Sequence, residues 1–171
     1  MVKKITEKRL ENIAIYYLQR YDSCTSKLKD VLYRRVLKIK MLGGDVPPQV
    51  EDWISTIISK MQDLGYINDM RYIENTVRRL QNNGKSMHYI LNKLKQDGLP
   101  SDLLDAFLQE NTSNTFQTDL QSAQRLVYKR KLGYFRDKEL QKQMYQKDLA
   151  VLARAGFSYE IAKQALECPE N

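Results

Sequence analysis

The sequence predicts an all-α protein: a tandem repeat of three-helix units forming an elongated, curved helical array. Three observations lead there. Apolar residues recur at three- and four-residue steps rather than in the alternation of strands. The 7 Gly and 4 Pro fall between these segments as punctuation. Two junctions also recur along the chain with matching residue types. At 171 residues, with 42% hydrophobic and 29% charged side chains, the chain can bury a substantial core without disulfide or metal staples. The same composition excludes collagen-like, low-complexity and strongly disordered classes.

In the first unit, Leu10, Ile13, Ala14, Tyr17 and Tyr21 share one helical face, and the run stops at Asp22-Ser23, where side-chain oxygens compete for the backbone. A second helix opens near Cys24-Thr25-Ser26, turns Leu28, Leu32, Val36 and Ile39 inward, and ends at Gly43-Gly44. Pro47-Pro48 suits the first turn of a third helix, where the missing amide hydrogen would be unsatisfied anyway. Trp53, Ile57, Met61 and Leu64 give that helix its stripe, and Gly65 its left-handed C-terminal cap.

The unit then recurs. Asn68-Asp69 caps a helix with Met70, Ile73, Val77 and Leu80 inward, Asn82-Asn83-Gly84 closes it, and Ser86 caps the next, with Ile90 and Leu94. Gly98-Leu99-Pro100-Ser101 starts another. Cys24, Leu28 and Leu32 align with Ser86, Ile90 and Leu94. Gly98-Leu99, followed by Leu103, Phe107 and Leu108, aligns with Gly156-Phe157, followed by Ile161, Ala165 and Leu166; Val46 then Val50 is a weaker first copy. A third unit runs from about Leu120 through Leu140, Met144, Leu149 and Leu152 to Leu166. The expected organisation is a first unit at 1–66, a second at 67–111, a polar linker at 112–119 and a third unit at 120–171, with about nine helices. One such unit cannot bury its own apolar faces, so neighbours stack.

Charge is distributed unevenly along this array. The 28 Lys and Arg exceed the 21 Asp and Glu, a net charge of +7, which points to a polyanion as partner. Thr25 to Leu42 holds Lys27, Lys29, Arg34, Arg35, Lys38 and Lys40 against Asp30 alone. Leu120 to Lys142 holds Arg125, Lys129, Arg130, Lys131, Arg136, Lys138 and Lys142 against Asp137 and Glu139. Between them, Leu99 to Asp119 has no Lys or Arg but contains Asp102, Asp105, Glu110 and Asp119. A single basic run is ordinarily a solvated face; two on one array argue for a basic groove. Tyr33, Tyr89, Tyr128, Tyr134 and Tyr145 lie in or beside basic stretches and could stack on bases, although a tyrosine at helical spacing is more often core with its hydroxyl at the rim.

Catalytic signatures do not hold up. Gly84-Lys85-Ser86 ends like a phosphate-binding loop, but Arg79 stands where that motif needs glycine, and a helix rather than a strand precedes it. Tyr159 and Lys163 have the spacing of a dehydrogenase pair without any dinucleotide loop, so they read as i,i+4 neighbours. Nothing places Cys24 beside His88, and the carboxylates are too scattered for a metal-dependent nuclease. With His88 and the distant Cys24 and Cys168 as the whole His/Cys set, a zinc site is not expected, and no cofactor is expected either. The thiols read as reduced and the location as cytoplasmic: Met1-Val2-Lys3-Lys4 leads into charged residues without a signal-peptide core, and no apolar run is long enough to span a membrane.

Leu64-Gly65-Tyr66-Ile67-Asn68-Asp69-Met70-Arg71-Tyr72, the Gly98-Leu99 junction, and Leu152-Ala153-Arg154-Ala155-Gly156-Phe157-Ser158-Tyr159 together resemble the hallmarks of the RecX family of bacterial recombinase regulators. The resemblance covers roughly Asn12 to Leu166 and is closest to the subgroup with Leu132-Gly133-Tyr134-Phe135-Arg136 before the final block. The family often has two acidic residues where Asn68-Asp69 stands and a hydroxyl residue where Cys24 stands, which makes Cys24 the poorer cap. The resemblance implies a non-enzymatic, usually negative, modulator of RecA. Such a protein lies in the groove of the RecA–DNA filament and curbs ATP hydrolysis, strand exchange and co-protease activity in DNA repair and the SOS response. The expected partners are the RecA filament and single-stranded DNA, with double-stranded DNA a further candidate, no membrane, and a monomeric chain. Charge, not the family, nominates Arg34, Arg35, Lys38, Arg78, Arg79, Lys129, Arg130, Lys131, Arg136 and Lys142 as groove contacts. The alternative is a helical protein acting on naked DNA without RecA, with Ser26 to Lys40 used as a recognition helix.

Overall fold

The computed structural model describes residues 4–111 and 115–167, and among these every regular element is helical. Met1-Val2-Lys3, Cys168 and linker residues 112–114 lie outside the described residues. The order is α1 (Glu7–Leu18), α2 (Thr25–Met41), α3 (Val50–Asp63), α4 (Asp69–Asn82), α5 (Met87–Gln96), α6 (Ser101–Asn111), α7 (Thr115–Arg130), α8 (Lys138–Arg154) and α9 (Tyr159–Glu167), with a 3-10 turn at Gly133–Phe135 before α8. The all-α repeat class read from the sequence is the architecture observed.

Packing divides the chain into two compact bodies. The first comprises residues up to Tyr72 with Asp97–Pro100; the second comprises Ile73–Gln96 with Ser101 onward. In the first, Leu10 and Ala14 of α1, Leu28, Leu32, Val36 and Ile39 of α2, and Ile54, Ile57 and Met61 of α3 form one core. In the second, Leu120, Ala123 and Val127 of α7, Leu152 of α8, and Phe157, Ile161, Ala162 and Ala165 around α9 form another. Each is an amphipathic stripe closed by its neighbours.

Several inward assignments change. Tyr21 is 58% exposed because α1 ends at Leu18, and beyond that point the helical period no longer carries a side chain to the core. Helix α3 starts at Val50, two residues after Pro47-Pro48, and its buried face is Val50, Ile54, Ile57, Ile58 and Met61, which leaves Leu64 exposed and Trp53 half-buried. Leu140 is exposed in the first turn of α8, and Leu104 rather than Leu103 is buried in α6. Thr115 to Asp119, read as linker, are the first five residues of α7, and Asp119 is buried there.

The aligned junctions are equivalent in space. The Ser86 Oγ accepts from the Tyr89 amide at 3.1 Å and caps α5; Cys24, its counterpart, makes no side-chain cap to α2. In both repeats an acid from a later helix serves the first amide. Asp69 Oδ1 accepts from Thr25 N at 2.7 Å, and Asp119 Oδ1 from Met87 N at 2.8 Å. Each capped end also carries a glycine turn from later in the chain. Gly98 (φ +82°) lies against Ser26 and Gly156 (φ +94°) against Ser86 and Tyr89, so that any Cβ would collide with those residues. Left-handed backbone and absent side chain are both required there, which explains why both positions are glycine.

Candidate functional site

On the first body, packing of Leu10 and Ala14 against Leu28 and Leu32 leaves the outer flanks of α1 and α2 facing one another. Ile13, Tyr16, Tyr17 and Tyr21 on one side and Val31, Arg34, Arg35 and Lys38 on the other line an open groove of about 640 Å³. Among the described residues, no carboxylate lines it. Arg34 Nε donates to the Asp30 carbonyl at 3.2 Å, which holds its guanidinium along the helix. Arg35 Nε is buried and, among the described residues, has no hydrogen-bond partner. Such an atom forgoes water without compensation, a cost of about 1–3 kcal/mol. The Arg20 guanidinium lies 3.7 Å above the Tyr16 ring and bonds its hydroxyl, and the Tyr17 and Tyr21 rings are 5.1 Å apart. Arg34, Arg35 and Lys38 are thus brought together.

The second body holds the other nominated cations in separate places. Arg78 and Arg79 are exposed on α4. Lys129, Arg130 and Lys131 are exposed where α7 ends. Lys131 takes positive φ, 52°, and its Nζ sits 4.1 Å from the Tyr128 ring centre and 4.6 Å from that of Phe135, a cation–π seat. Lys142 lies on a separate cavity of about 500 Å³ with Tyr134, Tyr145 and Leu166.

Arg136 is committed. Its Nε and Nη2 meet the two oxygens of buried Asp148 at 2.8 and 2.9 Å, and Asp148 also accepts from Gly133 N at 3.0 Å. This fork pins the 3-10 turn to α8, so the charge of Arg136 is met within the fold. Beside it, Arg130, Lys147 and Arg154 share an open depression of about 650 Å³ with Leu132, Met144 and Val151.

The first body has its own buried carboxylate. Lys27 Nζ reaches Asp97 at 3.1 Å and the Tyr72 hydroxyl at 2.7 Å, and that hydroxyl donates to Asp97 at 2.8 Å. Burial works against the Lys27 ammonium, but these bonds outweigh it and raise its pKa; burial pushes the Tyr72 phenol up as well. Burial likewise raises the Cys24 thiol, whose Sγ faces the Asp97 carbonyl at 3.5 Å. Tyr159 and Lys163 are exposed on α9, and His88 pairs with Asn92 on α5. Among the described residues, no three His, Cys, Asp or Glu side chains are placed to hold a metal ion, and no helix is long and apolar enough to cross a membrane.

The chain is 33% identical over 167 residues to the regulatory protein RecX of Myxococcus xanthus, a match spanning 96% of this chain and 88% of the relative. The chain belongs to the RecX family. The regulatory protein RecX of Agrobacterium fabrum is 30% identical over 156 residues, 91% of this chain and 80% of the relative. Among solved structures, the crystal structure of RecX from Lactobacillus salivarius matches with a TM-score of 0.61 at 24% identity over 94% of both chains. A second crystal structure of regulatory protein RecX gives 0.62 at 22% identity over 93% of this chain and 72% of that one. These two establish the shared fold. No family model matches the chain.

Within this RecX-family fold, Tyr16, Arg20, Lys147 and Arg154 join the surfaces without having been nominated from charge or spacing, and Tyr21 turns outward rather than inward. A signal existed for each. Tyr16 falls off the face shared by Leu10, Ile13, Ala14 and Tyr17, and Arg20 follows it at i,i+4, where side chains meet. Lys147 and Arg154 are two turns apart on one side of α8, beyond the basic stretch that ended at Lys142.

Proposed function

We propose that this RecX-family chain is a non-enzymatic regulator of RecA. It binds in the groove of the RecA–DNA filament and inhibits recombinase, ATPase and co-protease activity in DNA repair and the SOS response. The observation that carries the reading is the acid-free cationic groove of Arg34, Arg35 and Lys38 in a chain of this family. The exposed Lys129 and Arg130 and the depression of Arg130, Lys147 and Arg154 supply further cationic surface for DNA phosphates or acidic filament surface. We take the repeats at 1–66, 67–111 and 120–171 as the units that engage the filament, acting as a cytoplasmic monomer. Weak interactions in series add through effective concentration, so no single one need be tight. Regulation further requires that one filament state be bound better than another, since equal affinity shifts nothing.

The test is ATP turnover by RecA on single-stranded DNA with the chain added. Turnover is expected to fall, and the triple reversal of Lys129, Arg130 and Lys131 to Glu to weaken the effect. Unchanged turnover at micromolar protein would sink the reading. Sequence-selective binding to naked duplex with indifference to RecA would instead favour a DNA-binding protein using the exposed Lys29, Arg34, Lys38 and Lys40 of α2.

A further inference from the structure

We infer that the groove between α1 and α2 is a stacking site for unpaired bases, with Tyr16 and Tyr21 as platforms and Arg34, Arg35 and Lys38 on the adjoining phosphates. This deepens the regulator reading and rests on it for its biological setting: it names the strand, rather than the protein, as what this groove holds.

Four observations converge. Tyr16 and Tyr21 are 56% and 58% exposed, so both ring faces are within reach of a ligand in the groove. The wall opposite carries three cations and, among the described residues, no carboxylate. Arg20 is laid over Tyr16, so the ring is already paired with a guanidinium plane, the other surface on which bases stack. Arg34 and Lys38, one turn apart on α2, are exposed, and a phosphate oxygen is a strong acceptor for both.

The chemistry separates the candidate occupants. A carboxylate-bearing peptide would use the cations and leave the rings idle. A duplex would present phosphates but hide its base faces inside its own stack. An unpaired strand uses both walls, because every base has a π-face and every nucleotide a phosphate.

The experiment uses the full chain without RecA, measuring fluorescence anisotropy with a labelled oligothymidylate and with a duplex of the same length. The oligothymidylate is expected to bind more tightly than the duplex. Tyr16→Ala with Tyr21→Ala is expected to weaken the single-strand affinity by roughly tenfold or more. Tyr16→Phe with Tyr21→Phe keeps the ring faces and should retain that affinity. Arg34→Gln, Arg35→Gln and Lys38→Gln together should lower the slope of log affinity against log salt by about 0.7 for each phosphate no longer neutralised. The circular dichroism melt of the alanine pair should match the parent, since both rings are largely outside the core.

Equal affinity of parent and alanine pair, or equal affinity for strand and duplex, overturns the inference. So does loss of RecA control by the alanine pair with naked-strand binding intact, which would make the groove a protein-docking surface. Conversely, if RecA turnover ignores the chain while the alanine pair loses the strand, the regulator reading fails and the stacking site stands.

Discussion

The groove between α1 and α2 and the depression beside α8 present the same charge and differ in what lies between the charges. In the first, three tyrosines face Arg34, Arg35 and Lys38 across the groove. In the second, Leu132, Met144 and Val151 interleave with Arg130, Lys147 and Arg154, and a fourth cation, Arg136, is spent on Asp148. A count of lysines and arginines treats the two alike. On the stacking inference the two do different work: one takes an unpaired base, while the other offers cations to phosphate or carboxylate and, through Arg136, holds its own wall together.

The largest effect that would sharpen this contrast is structural. Arg136→Met leaves Asp148, whose side chain is 3% exposed, as a buried charge with no guanidinium and only the Gly133 amide against it. About 3 kcal/mol of stability should go, read in urea denaturation of the second body. Strand binding at the α1–α2 groove should not change in the folded fraction. Next comes Arg130→Gln with Lys147→Gln and Arg154→Gln, expected to lower oligonucleotide affinity at low salt by roughly tenfold because fewer phosphates are neutralised. The preference for single strand over duplex should survive; its disappearance would erase the distinction between the two surfaces.

A smaller effect concerns the repeated caps. Ser86→Ala should cost about 1 kcal/mol, and Cys24→Ser, which supplies the hydroxyl its counterpart already has, should return a few tenths, both read as shifts in the urea midpoint.

The subtlest difference is in pH. Lys27 has a raised pKa, so its contribution is complete below the ordinary lysine value of about 10.4 and is lost as pH rises through the higher folded value. Tyr72, also raised, acts in the same direction. The first body should therefore loosen under alkaline conditions while the arginine-held turn of the second persists, as followed by hydrogen exchange of each body. Lys27→Met with Tyr72→Phe should flatten that dependence.

Much of the fold was legible because local chemistry and repetition agreed. The pairing of Cys24 with Ser86 and of Gly98 with Gly156 follows from residue order, and the structure gives the partners equivalent places. Ser86 and Asn68 act as caps, as their side chains suggest. The surface was less legible. Whether Arg136 offers its charge outward depends on Asp148, twelve residues on, brought near by the 3-10 turn. Tyr21 continues the apolar spacing three residues past the last helical one, which gives it a buried look that the end of α1 cancels. Each difference is a tertiary or boundary effect that the helical period does not encode.

The capping acids carry a consequence for how the chain is made. Asp69 lies 44 residues after the amide it serves, and Asp119 lies 32 after its own. On a growing chain, then, α2 waits for the start of α4, and α5 for the start of α7, before the first amide of each has its acceptor. Synthesis from the N-terminus therefore finishes each repeat only as its successor emerges, and a chain truncated between repeats keeps one helix, α2 or α5, whose first amide lacks its acid.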